Sequence, residues 1–289
     1  MARAWVAPFH GGGVIAHAIA TRDGWRQVLH AGAASEARAR PTRYGNPVLF
    51  PFPGLVRDAA YRWEGRRYHL PVNAPDGTSF AHGFAHDRGW MVGERSDRRI
   101  VTRFETPGCL RDDERRGYPF HVTLRQEISL GDDGLRIELV ARNEGGEAAP
   151  VGLGLHPYFA MAFLGGERSG LDIVLPEGSP DGSVRLSAEG QELRLRTDLP
   201  SPTVAGMSGL EGEVALYLDH GVSDLAVFAP GDGESVSLEP TSCPLSAGSL
   251  LSGAENVAST ALRLAPGDEL RLAIRLVAKP LEPIDSVRR

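Results

Sequence analysis

Two runs of alternating residues, 121–130 and 135–143, flank the four residues Gly131-Asp132-Asp133-Gly134. Alternation sends successive side chains to opposite faces, and a Gly/Asp turn between two such runs is the pattern of a β-hairpin. The rest of the chain is cut to similar lengths. Thirty-five glycines and 21 prolines punctuate it, and both residues interrupt helical periodicity. Runs at 14–19, 25–30, 171–175, 191–195, 214–218, 225–229, 235–239 and 270–277 are alternating or rich in branched and aromatic residues, as strands are. In 61–70 the pair Glu64-Gly65 divides the run into a second hairpin. The expectation is an all-β chain of antiparallel sheets with few short helices. From Thr197 to Glu211, Pro200, Pro202, Gly206 and Gly209 predict a loop, the kind of segment that borders a cleft.

No linker, repeat or compositional break divides the 289 residues, and all-β sandwiches and barrels reach this length as one unit. One domain spanning 1–289 is expected. The net charge of -6 offers no broad basic field, which argues against nucleic acid and anionic membranes as partners. Arginines cluster at 95–103 and 111–116, but acidic residues are interleaved in both, as on a solvated face. No apolar run reaches membrane-spanning length, and the start Met1-Ala2-Arg3-Ala4-Trp5 lacks the apolar core of a signal peptide, so a cytoplasmic location is expected. Cys109 and Cys243 are the only cysteines. Two reduced thiols suit that compartment, although the sequence leaves a bridge open.

Three segments carry chemistry: Ala81-His82-Gly83-Phe84-Ala85-His86, Gly154-Leu155-His156-Pro157-Tyr158-Phe159 and Ser237-Leu238-Glu239-Pro240-Thr241. His156 precedes a proline, which biases its backbone to an extended form beside a stiff corner. Glu239 ends an alternating run and also precedes a proline. A buried histidine bonded at a strand end and a surface glutamate would be the ordinary explanations of each alone. Together they can move two protons near neutral pH, because histidine titrates there and a glutamate among apolar neighbours can be tuned toward it. Interchange of sugar anomers needs this: a general acid protonates the ring oxygen, a general base takes the anomeric proton, and no cofactor or metal takes part. The expectation sets the two groups on opposite sides of one pyranose. His82 and His86, four apart, have the spacing of a two-histidine metal site on a helix, but Gly83 argues against a helix and no cysteine or carboxylate completes a set nearby. His82 reads instead as a hydrogen-bond donor to sugar oxygens and His86 as a substrate contact. Trp90 and Tyr158 are candidates to stack on a sugar face, as is Phe159, for which core packing is the alternative.

In order along the chain, Asn46-Pro47-Val48-Leu49-Phe50-Pro51, the block Glu64 to Asn73, His82-Gly83-Phe84, Gly154-Leu155-His156-Pro157-Tyr158-Phe159, Leu238-Glu239-Pro240 and Leu264-Ala265-Pro266-Gly267-Asp268 resemble the aldose 1-epimerase (galactose mutarotase-like) family. The resemblance implies a β-supersandwich. It also implies Glu239 as the base, His156 as the acid on the ring oxygen and His82 as a helper holding that oxygen. Partners would be a small-molecule sugar alone, with the protein a monomer or homodimer. Two departures bear on substrate. Where the family carries an arginine followed by an aliphatic residue, this chain reads Leu55-Val56, and Arg57 either reaches the sugar from a shifted position or the contact is missing. The family's hydroxyl-gripping aspartate is matched to Asp198, and the run after Glu239 lacks the asparagine that often follows its proline. A hexose-phosphate epimerase, with Arg57 or the arginines of 111–116 on the phosphate, and a catalytically silent sugar-binding homologue are the alternatives.

Overall fold

The strands Val122–Gly131 and Gly134–Asn143 pair along their whole length, from Val122↔Asn143 to Gly131↔Gly134, so Asp132 and Asp133 alone make the turn. Gly134 has φ 122°, and a Cβ there would lie 2.3 Å from the Leu276 carbonyl oxygen of the next strand. Both that neighbour and the positive φ of the turn require the glycine. In this computed structural model, which describes residues 1–177, 183–184, 186, 191–196, 202–243 and 263–281, the hairpin lies within a nine-stranded antiparallel sheet. The sheet runs in the order Ser183–Val184, Asp172–Val174, Thr203–Ser208, Gly212–His220, Glu269–Pro280, Gly134–Asn143, Val122–Gly131, Arg99–Thr106 and Met91–Arg95.

A second, six-stranded sheet holds Gln191–Arg196, Asp224–Ala229, Ser235–Thr241, Gly154–Leu155 and Val48–Leu49 in that order, with Tyr158–Ala160 also paired to Ser235–Thr241. Leu124, Ile137, Leu139 and Ile274 of the large sheet join Leu155, Val227, Val236 and Leu238 of the second in one buried apolar cluster. Burying this much apolar side chain, at about 1.5–3 kcal/mol for each large residue, holds the two sheets together. A three-stranded sheet, Ala2–Val6, Val14–Thr21 and Gly24–Gln27, and the hairpin Ala60–Trp63 with Arg66–His69 complete the larger β elements. In that hairpin Glu64 and Gly65 take φ 46° and 78°, the left-handed pair of a tight hairpin turn. The α-helices are short: Ala34–Ala39, Asp112–Gly117 and Met161–Leu164.

The expected antiparallel all-β architecture is the one found, with one correction. Part of the loop predicted from Thr197 to Glu211 is the strand Thr203–Ser208, paired residue by residue to Gly212–His220. Gly206 sits inside it where a Cβ would lie 2.9 Å from the Val214 carbonyl oxygen, so this glycine serves close strand approach instead of a turn. Residues 197–201 lie outside the described residues, and with them Asp198. Cys109 and Cys243 are free thiols. Among the described residues no helix is long and apolar enough to cross a membrane.

Candidate active site

Two prolines interrupt one strand pair and open the site. Ser235–Thr241 pairs with Gly154 through Thr241 and with Tyr158 through Ser237, and the same number of residues separates the two pairs on each side. Pro157 and Pro240 fall between them and have no N–H to give. The register carried across the gap puts His156 opposite Glu239. Ser237 and Glu239 are two apart on one strand and share a face, as do His156 and Tyr158 across from them.

The imidazole Nε2 of His156 lies 3.1 Å from Glu239 Oε1, with the two side chains 4% and 6% exposed. Nδ1 lies 2.9 Å from Ser237 Oγ, and the Tyr158 hydroxyl 3.2 Å from Nε2. The Tyr158 ring stacks on the imidazole at 4.4 Å between centroids and 11° between planes. The expectation of acid and base on opposite sides of a pyranose is thus corrected, for the two groups touch. The physical reason lies in the strand register, which sets positions 156 and 239 directly opposite each other on one wall. The His156 N–H donates to Asn46 Oδ1 at 3.0 Å and to the Pro47 carbonyl oxygen at 3.1 Å. Asn46-Pro47 therefore holds the backbone of the histidine, through a side chain that is itself buried. Burial, then the neighbouring His82, and the Arg43 charge press the His156 pKa well below its usual value. Burial, then the Glu239 carboxylate, push the Tyr158 hydroxyl well above its own.

His82 comes in from another direction. It follows the short strand Phe80–Ala81, which pairs with Leu55–Val56, and its N–H donates to the Gly54 carbonyl oxygen at 2.8 Å. His82 and Gly83 are both left-handed, with φ 62° and 76°. A Cβ on Gly83 would lie 1.9 Å from the Phe50 carbonyl oxygen, so only glycine fits behind this histidine. Asn73 braces the approach: its Oδ1 accepts from Ala81 N–H at 2.6 Å and its Nδ2 donates to the Ala81 carbonyl oxygen at 3.1 Å. The result is a His82 ring edge-on to His156 at 5.5 Å. Its Nδ1 is buried without a partner, and burial, helped by His86, lowers its pKa to about 3. His82 is therefore a neutral imidazole with hydrogen-bonding capacity to spare.

Asn73, His82, His156, Tyr158 and Glu239 line one cleft of about 810 Å³ together with His86, Arg43, Phe228 and Leu55, a size suited to a small molecule. Of the residues predicted from sequence, His82, His86, His156, Tyr158 and Glu239 are gathered here. Two are placed elsewhere. Trp90 is buried, donates its indole N–H to the Ala85 carbonyl oxygen at 3.0 Å and packs on Phe104 at 5.6 Å; Gly12 leaves room for its ring, since a Cβ there would lie 2.6 Å from it. The indole is core, outside the cleft lining. Arg57 opens the 3₁₀ turn Arg57–Ala59 with an exposed side chain, also outside the lining. The strand Leu55–Val56 sends Leu55 into the cleft, and the chain turns away before Arg57 can follow. The arginines of 111–116 belong to or adjoin the helix Asp112–Gly117 and do not line the cleft. Phe159 is wholly buried. Among the described residues no group of three His, Cys, Asp or Glu side chains is placed to hold a metal ion.

Three contributors were missed in the sequence. Ser237 and Glu239 alternate on one strand face, a signal that was present and unused. Asn46 heads the motif that runs to Pro51, with nothing in the sequence to single out its side chain. Arg43 comes from a Pro/Arg-rich connector with no periodicity, so nothing local announces that it turns inward.

A family model for aldose 1-epimerase matches residues 7–173. The chain belongs to the aldose 1-epimerase family. YihR of Escherichia coli, an uncharacterised protein, is 32% identical over 120 residues, which is 41% of this chain and 37% of that one. The match thus spans well under half of that relative. A galactose mutarotase-like protein from Clostridium acetobutylicum superposes with a TM-score of 0.74 at 16% identity, covering 96% of this chain and 92% of the other. One from Lactobacillus casei gives 0.75 at 17% identity, covering 96% of each. At these identities they establish the galactose mutarotase-like fold, the β-supersandwich that the sequence resemblance implied.

Proposed function

We propose that this aldose 1-epimerase family member interconverts the anomers of a free hexose or related sugar, with Glu239 and His156 as base and acid. The observation that carries the reading is the 3.1 Å contact between His156 Nε2 and Glu239 Oε1 at the wall of a sugar-sized cleft. In the reactive form the pair holds one mobile proton, as imidazolium and carboxylate. The anomeric hydroxyl gives its proton to Glu239 while Nε2 gives its own to the ring oxygen. The bond from the anomeric carbon to the ring oxygen breaks, its electrons go to that oxygen, and the anomeric carbon becomes a carbonyl. Imidazolium and carboxylate have become imidazole and carboxylic acid, so no net charge is created. Rotation of the carbonyl and the reverse transfers close the ring on the other face.

Burial makes the imidazolium form scarce and at the same time more reactive. An imidazolium whose pKa is pressed down by desolvation is a stronger acid, better able to protonate an ether oxygen. Ser237 Oγ, accepting from Nδ1–H, keeps the non-reacting proton on Nδ1 and leaves Nε2 to gain and lose the mobile one. His82, with an unpartnered nitrogen, holds the ring oxygen. In this reading the chain works as one cytoplasmic domain on a small sugar, as monomer or homodimer, with no nucleic acid, membrane or cofactor. Polarimetry of freshly dissolved galactose or glucose tests it: wild-type protein should speed equilibration over buffer and Glu239→Gln should lose about 10²–10⁴-fold of that. Equal rates for the two proteins would refute the assignment. Sugar binding by wild type without acceleration would favour a silent binding protein instead, a reading to which Leu55 in the cleft lining lends some support.

A further inference from the structure

Arg43 stands at the mouth of the catalytic pair. It lines the cleft with His82, His156 and Glu239, and its guanidinium carbon lies 6.0 Å from the ring centroids of both Tyr158 and Phe228. Asp232 ion-pairs with it from the connection between Asp224–Ala229 and Ser235–Thr241. Its charge reaches His156, and its charge and hydrogen bond both act on the Tyr158 hydroxyl. A guanidinium carries five N–H donors in a fixed fork, more than one carboxylate and one phenol can use. Held between two aromatic rings and an aspartate, it is preorganised, so little side-chain freedom remains to be lost when a ligand arrives. Across the same lining Leu55 offers no donor at all, and Arg57 is outside it.

We propose that Arg43 is a substrate-binding residue that donates hydrogen bonds to sugar hydroxyls beside the reacting carbon, with Asp232 as the residue that positions it. The inference rests on the mutarotase reading for its substrate class. The other charged or titratable groups of the lining are Arg40, His82, His86, Asp87, His156, Tyr158 and Glu239. Of these, His156, His82 and Glu239 are committed to the reacting oxygens, and Tyr158 to His156.

The test measures kcat and KM for anomer exchange of a free hexose with wild type, Arg43→Met, Arg43→Lys, Asp232→Asn and Arg57→Met, alongside calorimetric binding of the same sugar and thermal unfolding of each protein. Arg43→Met should raise KM and the calorimetric Kd about 10- to 100-fold, as for a lost hydrogen bond to a charged group, while kcat changes less than about threefold. Arg43→Lys should restore part of the loss and Asp232→Asn should cause a smaller one. Arg57→Met should behave as wild type. A folded Arg43→Met protein with unchanged KM and Kd would overturn the inference and leave the mutarotase reading standing. A wild type that binds sugar without speeding exchange would defeat that reading, and Kd for Arg43→Met would then decide the inference alone: weakened binding supports it, unchanged binding overturns it.

Discussion

Removing the Ser237 hydroxyl should disable the site without touching either reacting group. Ser237 Oγ lies 2.9 Å from His156 Nδ1 in a position with no exposed surface. In Ser237→Ala the ring nitrogen stays buried and loses its partner, which costs about 1–3 kcal/mol. If the same energy is lost from the transition state, kcat falls about 5- to 150-fold, with KM little changed because Ser237 does not line the cleft. Stability should drop by the same 1–3 kcal/mol, and Ser237→Cys, with a weaker acceptor, should fall between. Nitrogen-15 NMR of the imidazole separates positioning from mere destabilisation: neutral His156 should carry its proton on Nδ1 in wild type and shift toward Nε2 in Ser237→Ala. An unchanged tautomer together with wild-type kcat would refute the role given to Ser237.

Gly83→Ala should lose more than about 2 kcal/mol in urea denaturation, from a Cβ on a left-handed residue and its clash with Phe50; an unmoved midpoint would contradict the turn described behind His82. Trp90→Phe should cost about 1–3 kcal/mol through its lost hydrogen bond and volume while leaving KM as in wild type, whereas a raised KM would return Trp90 to the cleft. Acidification should destabilise the fold early. His17, His82, His86 and His156 all bind protons more weakly folded than unfolded, each mainly because of burial. The unfolded chain therefore gains protons first as pH falls through 6.5, so their contribution is fully present above that value and is lost below it, down to about 3 for His82. The urea midpoint should decline from pH 7.5 to 5.5, before paired carboxylates such as Glu127, held down to about 2 by Arg99, begin to matter; a flat or rising midpoint would count against these burials.

Much of the fold was legible because its signals are local. Alternation and turn chemistry located both hairpins, and the residues closing the Glu64-Gly65 turn lie where the sequence put them. The strand Thr203–Ser208 was hidden because a glycine that allows close strand approach looks the same in sequence as one that makes a turn. At the site, His82, His156 and Glu239 stood out by residue type and by their proline and glycine neighbours. What could not be read was their mutual geometry, since the contact between positions 156 and 239 depends on a register set by pairs at Gly154 and Tyr158. Trp90 and Arg57 were misplaced for a related reason: nearness in sequence to a motif says nothing about which side of the sheet a residue faces, and a turn such as Arg57–Ala59 reverses it within three residues.

The proton-transfer pair at the centre of the account is tested most directly by saturation-transfer NMR of anomer exchange in a free hexose, with wild type, Glu239→Gln, His156→Gln and the double variant. If the two side chains act as one unit, each single change should lower the exchange rate by about 10²–10⁴-fold, and the double variant should be no slower than about the worse single one. Single variants that exchange as fast as wild type, or losses that multiply in the double variant, would contradict it.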